Sequence, residues 1–292
     1  MSTQPPHSDH KKITTRSFRE KKMRGEQITM LTAYDYGTAA VIDRAQIDSI
    51  LVGDSLGMVV LGYENTLPVS MDDMIHHCKA VTRGVNYALL IGDMPFMSYQ
   101  ISFDEAIRNA GRFLQEGGMD AVKLEGGRER SETVKAIVGA GIPVMGHLGL
   151  TPQSVHQLGG FRAQGKSAKD AKRLFEDSQI LQEAGCFSLV LESIPARLGK
   201  LVSRQIEIPT IGIGAGPDCD GQVLVTHDLL GLFDRFTPRF VKKYADLHLE
   251  MTRAFEAYIR DVEAGEFPAQ RHSFTMADDV WEALIQDLGF EE

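Results

Sequence analysis

Five short apolar runs in this chain each end near a side chain that can carry charge, and these side chains could do chemistry together. They are Asp54, Asp93, Glu125, His147 and Glu192. A single acid in such a position usually caps the next helix or binds a loop amide. Several acids at one place repel each other unless a cation or a proton intervenes. As a group they therefore predict a metal or acid–base site.

The ligand types indicate which metal to expect. Asp54, Asp93 and Glu125 offer carboxylate oxygens, and no cluster of cysteines or histidines accompanies them. Oxygen ligands suit a hard cation such as Mg²⁺, which keeps waters and accepts substrate oxygens, and they disfavour zinc. His147 is interpreted either as a hydrogen-bonding residue of the pocket or as a structural histidine.

Lys123 precedes Glu125 by two residues, so both side chains point to the same face if this segment is a strand. A lysine inside a protein is costly unless it pairs with an acid or an anionic ligand. Two interpretations follow: Lys123 binds the carboxylate of a substrate, or it forms a structural ion pair with Glu125.

The elements that must position these residues are predicted from eight apolar, β-branched runs. The runs are residues 28–35, 49–55, 87–95, 120–127, 142–150, 186–194, 208–216 and 222–231. Their continuous hydrophobicity is typical of strands buried on both faces, and helical patterns separate most of them. An α/β fold of the closed (βα)₈ TIM-barrel type is predicted, with an irregular crossover before the last strand. The active site of such a barrel lies at the carboxyl ends of its strands.

Helix signals complete the predicted organisation. Ser70 and Ser102 are each followed three residues later by an acid, which predicts helices over 74–82 and 106–114. Further helices are predicted over 239–264 and 276–288. We expect a disordered tail at 1–12, a barrel domain at 13–264, and a helical extension at 265–292 that packs on the barrel or on a neighbouring subunit.

Composition excludes several functional classes. Lysine and arginine number 31 against 40 acids, a net charge of −9 that disfavours nucleic acid or an anionic membrane as partner. The amino terminus lacks the apolar core of a signal peptide, and no run reaches the roughly 20 apolar residues of a membrane span. Three widely spaced cysteines indicate reduced thiols. We expect a cytoplasmic enzyme with small-molecule substrates.

Several longer blocks of sequence match a known pattern. They are VGDSLGMVVLGY at 52–63, TLPV at 66–69, GDMPFM at 92–97, VKLEGG at 122–127, GHLGLTPQS at 146–154, LGGFRAQGK at 158–166, IPTIGIGAG at 208–216 and CDGQ at 219–222. Over residues 13–274 the chain closely resembles the ketopantoate (3-methyl-2-oxobutanoate) hydroxymethyltransferase family. Met94 and Phe161 stand where the family often has leucine and tyrosine, and Arg271 stands where glutamate is usual. We expect none of these to touch the chemistry.

The resemblance implies a role for each candidate residue. It places one Mg²⁺ per subunit on Asp54, Asp93 and Glu125, and the proton acceptor on Glu192. It also places the oxo-acid contacts on four residues: Asp54, Ser55, Asp93 and Lys123.

The resemblance also implies a barrel of the phosphoenolpyruvate/pyruvate type and a homo-oligomer, often a decamer. The implied reaction uses 5,10-methylenetetrahydrofolate as one-carbon donor and converts 3-methyl-2-oxobutanoate into 2-dehydropantoate, a step of pantothenate biosynthesis.

Two alternatives remain open at this point. A magnesium-dependent carbon–carbon lyase or mutase acting on an oxo acid would share the acids but would not use folate. A non-catalytic metabolite-binding barrel would use them only to hold a structural ion. Glu192 discriminates against the second alternative, because a structural metal needs no fourth carboxylate.

Overall fold

Eight parallel strands close into a barrel in the computed structural model, which describes residues 11–290. The strand order follows the chain, and the last strand pairs with the first. The strands are β1 Ile28–Thr32, β2 Ser49–Val52, β3 Leu89–Asp93, β4 Ala121–Glu125, β5 Val144–Gly149, β6 Ser188–Glu192, β7 Thr210–Ile213 and β8 Gly221–Leu224. The predicted (βα)₈ barrel is confirmed.

Helices connect most of the strands. Within residues 11–290 they are α1 Thr15–Arg24, α2 Tyr36–Arg44, α3 Leu56–Val59, α4 Met71–Thr82, α5 Phe103–Gln115, α6 Ser131–Gly139, α7 Val155–Leu158, α8 Ala168–Glu183, α9 Ala196–Gln205, α10 Thr226–Leu229, α11 Leu247–Glu263 and α12 Asp278–Leu288. The side chains of Ser70 and Ser102 accept hydrogen bonds from the backbone three residues on, so both predicted helix starts are confirmed.

Three differences from the prediction concern the ends of the barrel and its C-terminal side. The strand predicted over 222–231 ends at Leu224, because the chain turns into the short helix α10. The helix predicted over 239–264 begins only at Leu247. The first helix, α1, was not predicted at all.

Helix α1 lies at the amino end of the barrel. Its Phe18 is fully buried and packs edge-on against Phe187 at 5.9 Å between ring centroids. Phe18 belongs to the cluster of inward-facing strand residues that fills the barrel, together with Met30 and Ile91. This aromatic side chain therefore fills the lower end of the barrel interior.

Successive side chains along a strand point alternately towards the helices outside the barrel and towards its interior. A side chain at Gly92 would collide with the ring of Phe113, so α5 packs directly on β3 at this position. The next residue, Asp93, points the other way and lines the cavity inside the barrel mouth. Gly92 thus lets α5 pack closely on the outer face of β3, and the next residue, Asp93, places a carboxylate inside the barrel.

The chain divides into two compact units, of which the first ends at Lys243 and the second begins at Tyr244. The first contains the barrel, and the second contains α11 and α12. Most of the tail predicted to be disordered lies outside the described residues, but Lys12 forms an ion pair with Asp120 at 2.8 Å. Among the described helices, none combines the length and the hydrophobicity that crossing a membrane requires.

Candidate active site

A cavity of about 560 Å³ opens at the carboxyl ends of the strands. It brings together every residue that the sequence singled out for chemistry. These residues are Asp54, Ser55, Asp93, Lys123, Glu125, His147 and Glu192. They come from β3, β4, β5 and β6 and from the turn that follows β2, so strand ends far apart in sequence meet at one site.

The strand register sets the closest charge pair. Asp93 on β3 is level with Lys123 on β4, and Lys123 Nζ lies 2.8 Å from Asp93 Oδ1. The acid that pairs with this buried lysine is therefore Asp93 rather than Glu125. Burial lowers the pKa of Lys123, but attraction by Asp93 and the other acids outweighs it, so the pKa is raised overall and the ammonium stays charged.

Each of the three acids has one oxygen held by a hydrogen bond. The backbone amide of Asp54 donates to Asp93 Oδ2 at 3.1 Å. Gln153 holds the other two, since its side-chain Nε2 donates to Asp54 Oδ2 at 2.9 Å and its backbone amide donates to Glu125 Oε2 at 3.0 Å. Of the second oxygens, Asp93 Oδ1 faces Lys123 Nζ at 2.8 Å and Glu125 Oε1 faces His147 Nδ1 at 3.5 Å, whereas Asp54 Oδ1 has no such partner within residues 11–290. Carboxylates anchored in this way, and gathered at one place, fit a cation ligand set.

The burial of Asp54 and the charges around it also favour a bound cation. Burial raises the pKa of Asp54 well above its usual range, and the charges of Asp93 and Glu125 raise it further. Within the described residues, no group of three or more His, Cys, Asp or Glu side chains is arranged as a ligand cage that could hold a metal ion. Mg²⁺ does not need one, because it is usually held by one or two carboxylates together with waters and substrate oxygens. These acids therefore fit Mg²⁺ better than a fully protein-coordinated metal.

His147 is buried between two acids. Its Nδ1 lies 3.5 Å from Glu125 Oε1, and its Nε2 lies 3.2 Å from Glu192 Oε2, although that second contact lacks the alignment of a hydrogen bond. Burial and the charge of Lys123 lower the pKa of His147, but Glu125 and Glu192 more than compensate and raise it to about 9. His147 thus lies between a candidate metal ligand and the candidate base.

Glu192 ends β6 and is more accessible than the other acids, with 15% of its side chain exposed. Across the cavity, Ser55 shares a 2.8 Å hydrogen bond with the buried hydroxyl of Tyr34. That bond fixes the position of the Ser55 hydroxyl beside Asp54. Glu192 is therefore the most accessible acid of the site, whereas Ser55 is held in place.

Sequence reasoning missed Gln153. Besides its two bonds to the acids, its Nε2 donates to the carbonyl oxygen of Met94 at 2.9 Å, and its Oε1 accepts from the hydroxyl of Tyr99 at 2.6 Å. Gln153 lies in the GHLGLTPQS block that carries the family resemblance, but the resemblance assigned it no role. Its contacts lie at the ends of three other strands, β2, β3 and β4, and a linear pattern does not reveal them.

The outer part of the cavity is largely apolar. Phe161 lines it, together with three aromatic residues of the segment after α10: Phe233, Phe236 and Phe240. Phe161, which was expected not to touch the chemistry, thus lines the outer part of the cavity that holds the acids. One further carboxylate, Asp228, also lines this part.

Comparison with known proteins identifies relatives over nearly the whole chain. The profile of the ketopantoate hydroxymethyltransferase family matches residues 12–270. A 3-methyl-2-oxobutanoate hydroxymethyltransferase of Syntrophus aciditrophicus (strain SB) is 60% identical over 94% of this chain and all of its own length. The enzyme of the same name from Syntrophomonas wolfei subsp. wolfei is 58% identical over 94% of this chain and 99% of its own.

Solved structures show the same fold at low sequence identity. Phosphonopyruvate hydrolase in complex with oxalate and Mg²⁺ superposes with a TM-score of 0.59 at 12% identity, covering 95% of this chain and 96% of its own. The 2,3-dimethylmalate lyase, a member of the PEP mutase/isocitrate lyase superfamily, gives 0.57 at 15% identity over 94% and 98%. These proteins thus share the fold of this chain, and the sequence match shows that the chain belongs to the ketopantoate hydroxymethyltransferase family.

Proposed function

We propose that this chain transfers a hydroxymethyl group from 5,10-methylenetetrahydrofolate to 3-methyl-2-oxobutanoate and forms 2-dehydropantoate and tetrahydrofolate. The observation that carries the proposal is a single cavity that holds Lys123, three anchored acids and a fourth, more accessible carboxylate, Glu192. Membership of the hydroxymethyltransferase family supports the same reaction.

One Mg²⁺ per subunit would be held by the carboxylates of Asp54, Asp93 and Glu125. When bound, it supplies Lewis-acid stabilisation of the negative charge that develops on the oxo oxygen. Gln153 would keep Asp54 and Glu125 in position for this role, because one residue contacts both carboxylates.

The protein's own groups orient the oxo acid and move its proton. The Lys123 ammonium and the Ser55 hydroxyl bind the substrate carboxylate, and Asp54 and Asp93 complete the oxo-acid contacts. Glu192 takes the proton from C3, the carbon next to the oxo group. His147 lies beside Glu192, with its Nε2 3.2 Å from the carboxylate.

The electron pair left on C3 then forms a bond to the methylene carbon of the donor. Both bonds from that carbon to the folate nitrogens N5 and N10 break, and water supplies the hydroxyl oxygen of the product. Three protons, two from water and the one that Glu192 took from C3, end on N5, on N10 and on the new hydroxyl, and tetrahydrofolate leaves.

We also propose a cytoplasmic homo-oligomer, and specifically a decamer. Neither α11 nor α12 has a buried residue, although both carry large apolar side chains such as Phe255 and Val280, which suits helices that pack against a further surface. Light scattering after size exclusion should give about ten times the mass of one chain. A monomer at micromolar concentration would contradict this part of the proposal.

The direct test is incubation of the purified protein with 3-methyl-2-oxobutanoate, methylenetetrahydrofolate and Mg²⁺. We expect 2-dehydropantoate to accumulate in step with tetrahydrofolate. Cleavage or rearrangement of an oxo acid without folate would instead support a lyase or mutase. No turnover, with ordinary binding of Mg²⁺ and oxo acid, would support a non-catalytic binding protein.

A further inference from the structure

The cavity is larger than the oxo acid requires. At about 560 Å³ it falls within the range of about 300–1,000 Å³ that holds drug-sized ligands, whereas a branched oxo acid of five carbons occupies a small part of that space. Lys123 and the three acids define the inner end. The outer end, bordered by aromatic side chains, is therefore available to a second and larger molecule.

The aromatic residues of the outer end form a supported wall. Phe233 and Phe236 pack edge to face at 5.6 Å between ring centroids, and half of the Phe236 side chain is exposed. The ring of Phe240 lies against Gly214, whose φ of +67° and lack of a side chain permit the contact, since a Cβ there would come within 2.7 Å of the ring. Such a wall suits the faces of a flat heterocycle.

Asp228 adds a polar group that the proposed chemistry does not use. Its carboxylate lines the cavity, and within the described part of the chain it accepts no hydrogen bond and has no ion pair within 4 Å. Burial raises the pKa of Asp228 to about 6, although the charge of Lys243 opposes the shift. Because the Asp228 carboxylate is only partly buried and faces the cavity, it can accept hydrogen bonds from a ligand there.

The position of Asp228 relative to the oxo-acid site follows from Tyr34. The ring of Tyr34 lies 5.4 Å, between centroids, from the ring of His227, the residue directly before Asp228. The Tyr34 hydroxyl is hydrogen-bonded to Ser55. Asp228 therefore lies beside the oxo-acid site without being part of it.

Charge around the outer end favours an anionic tail on the ligand. The segment 233–243 carries four basic residues and one acid, in a chain whose net charge is −9. One of them, Arg239, is exposed, lines the cavity and forms no ion pair within residues 11–290. A ligand with a flat ring at one end and carboxylates at the other matches this arrangement.

We propose that Asp228 and the aromatic wall of Phe161, Phe233, Phe236 and Phe240 bind the reduced pterin of the one-carbon donor. The carboxylate accepts hydrogen bonds from the 2-amino group and N3–H of the pterin, and Arg239 faces the glutamate carboxylates of its tail. This inference rests on the proposed function, which requires the donor carbon to reach the carbon that Glu192 deprotonates.

The test compares Asp228→Asn with the wild type, using tetrahydrofolate as the binding probe in calorimetry. Loss of a charge-assisted hydrogen-bond pair should weaken tetrahydrofolate binding about 10- to 100-fold. Exchange of the C3 proton of 3-methyl-2-oxobutanoate with solvent deuterium needs no folate, so it should be unchanged and should also report correct folding. Asp104→Asn, at an exposed aspartate, is the matched control and should change neither quantity.

A second arm uses only the wild-type protein. A tetrahydrofolate analogue with a methyl group in place of the 2-amino group should bind about 10- to 100-fold more weakly than tetrahydrofolate, because it cannot complete the pair. Equal affinity for the two ligands, or unchanged tetrahydrofolate binding by Asp228→Asn in a transferring enzyme, would overturn the pterin assignment. A wild-type protein that binds tetrahydrofolate but transfers nothing would instead overturn the proposed function.

Discussion

The side-chain amide of Gln153 donates to Asp54 Oδ2 at 2.9 Å while its oxygen accepts from Tyr99, so the amide can adopt only one orientation. The contact to the carbonyl oxygen of Met94 enforces the same orientation, because a carbonyl can only accept. Asp54 is thereby aimed by a residue from the loop after β5. Groups that aim metal ligands typically contribute about 10- to 100-fold to metal affinity.

Replacing Gln153 with methionine should therefore weaken Mg²⁺ binding about 10- to 100-fold, because Asp54 loses its donor while the chain keeps its volume. Calorimetric titration of the metal-free protein without substrates measures this directly. Gln157→Met, at an exposed residue of α7, is the matched control and should bind Mg²⁺ normally. An unchanged Mg²⁺ affinity in Gln153→Met would show that the amide only packs the loop.

Metal removal tests the assignment of the three acids. Excess chelator should abolish both hydroxymethyl transfer and C3 proton exchange, and added Mg²⁺ should restore both, because like charges at Asp54, Asp93 and Glu125 need a cation. At about 100 times its Kd, Mg²⁺ should also add about 2.7 kcal/mol to the free energy of unfolding. Sodium chloride at the same ionic strength is the control for screening. Full activity in excess chelator would refute the metal site.

Lys123→Ala should weaken binding of 3-methyl-2-oxobutanoate more than binding of tetrahydrofolate, because the ammonium is assigned to the substrate carboxylate. Equilibrium binding of each ligand separates the two effects. Lys135→Ala removes a lysine from an exposed ion pair with Glu132 and should affect neither. If oxo-acid affinity stays unchanged, Lys123 serves only to neutralise Asp93.

Phe18→Ala should lower the free energy of unfolding by about 3–5 kcal/mol, because it empties the lower end of the barrel interior. Denaturant unfolding measures the loss, and Phe274→Ala is a control at a fully exposed ring. A change below about 1 kcal/mol would mean that α1 contributes little to barrel closure, since buried aromatic truncations rarely cost so little.

Much of this site was predictable because the carboxyl ends of all strands in a parallel barrel meet at the same mouth. Apolar runs ending at Asp93 and Glu125 placed their carboxylates at one mouth, and two-residue spacing placed Lys123 on the same face. The partner of Lys123 was not predictable, because it depends on the register between β3 and β4.

Other features were hidden for different physical reasons. Helix α1 is polar apart from a few residues, so its one fully buried ring, Phe18, produces no clear periodic pattern. The last strand is short, and Val225 continues its apolar run into α10, which obscured the boundary. The wall around Phe240 belongs to a segment without regular structure, where periodicity carries no information.

Glu192 is the residue on which the proposed reaction depends, and exchange of the C3 proton of 3-methyl-2-oxobutanoate with deuterium oxide isolates its step. Nuclear magnetic resonance should show Mg²⁺-dependent exchange in the wild type without folate. Glu192→Gln keeps size and hydrogen bonding but removes the base, so exchange should fall about 10²- to 10⁴-fold while Mg²⁺ and oxo-acid affinities stay close to those of the wild type. Exchange at the wild-type rate in Glu192→Gln would contradict the account, because another group would then have to remove the proton.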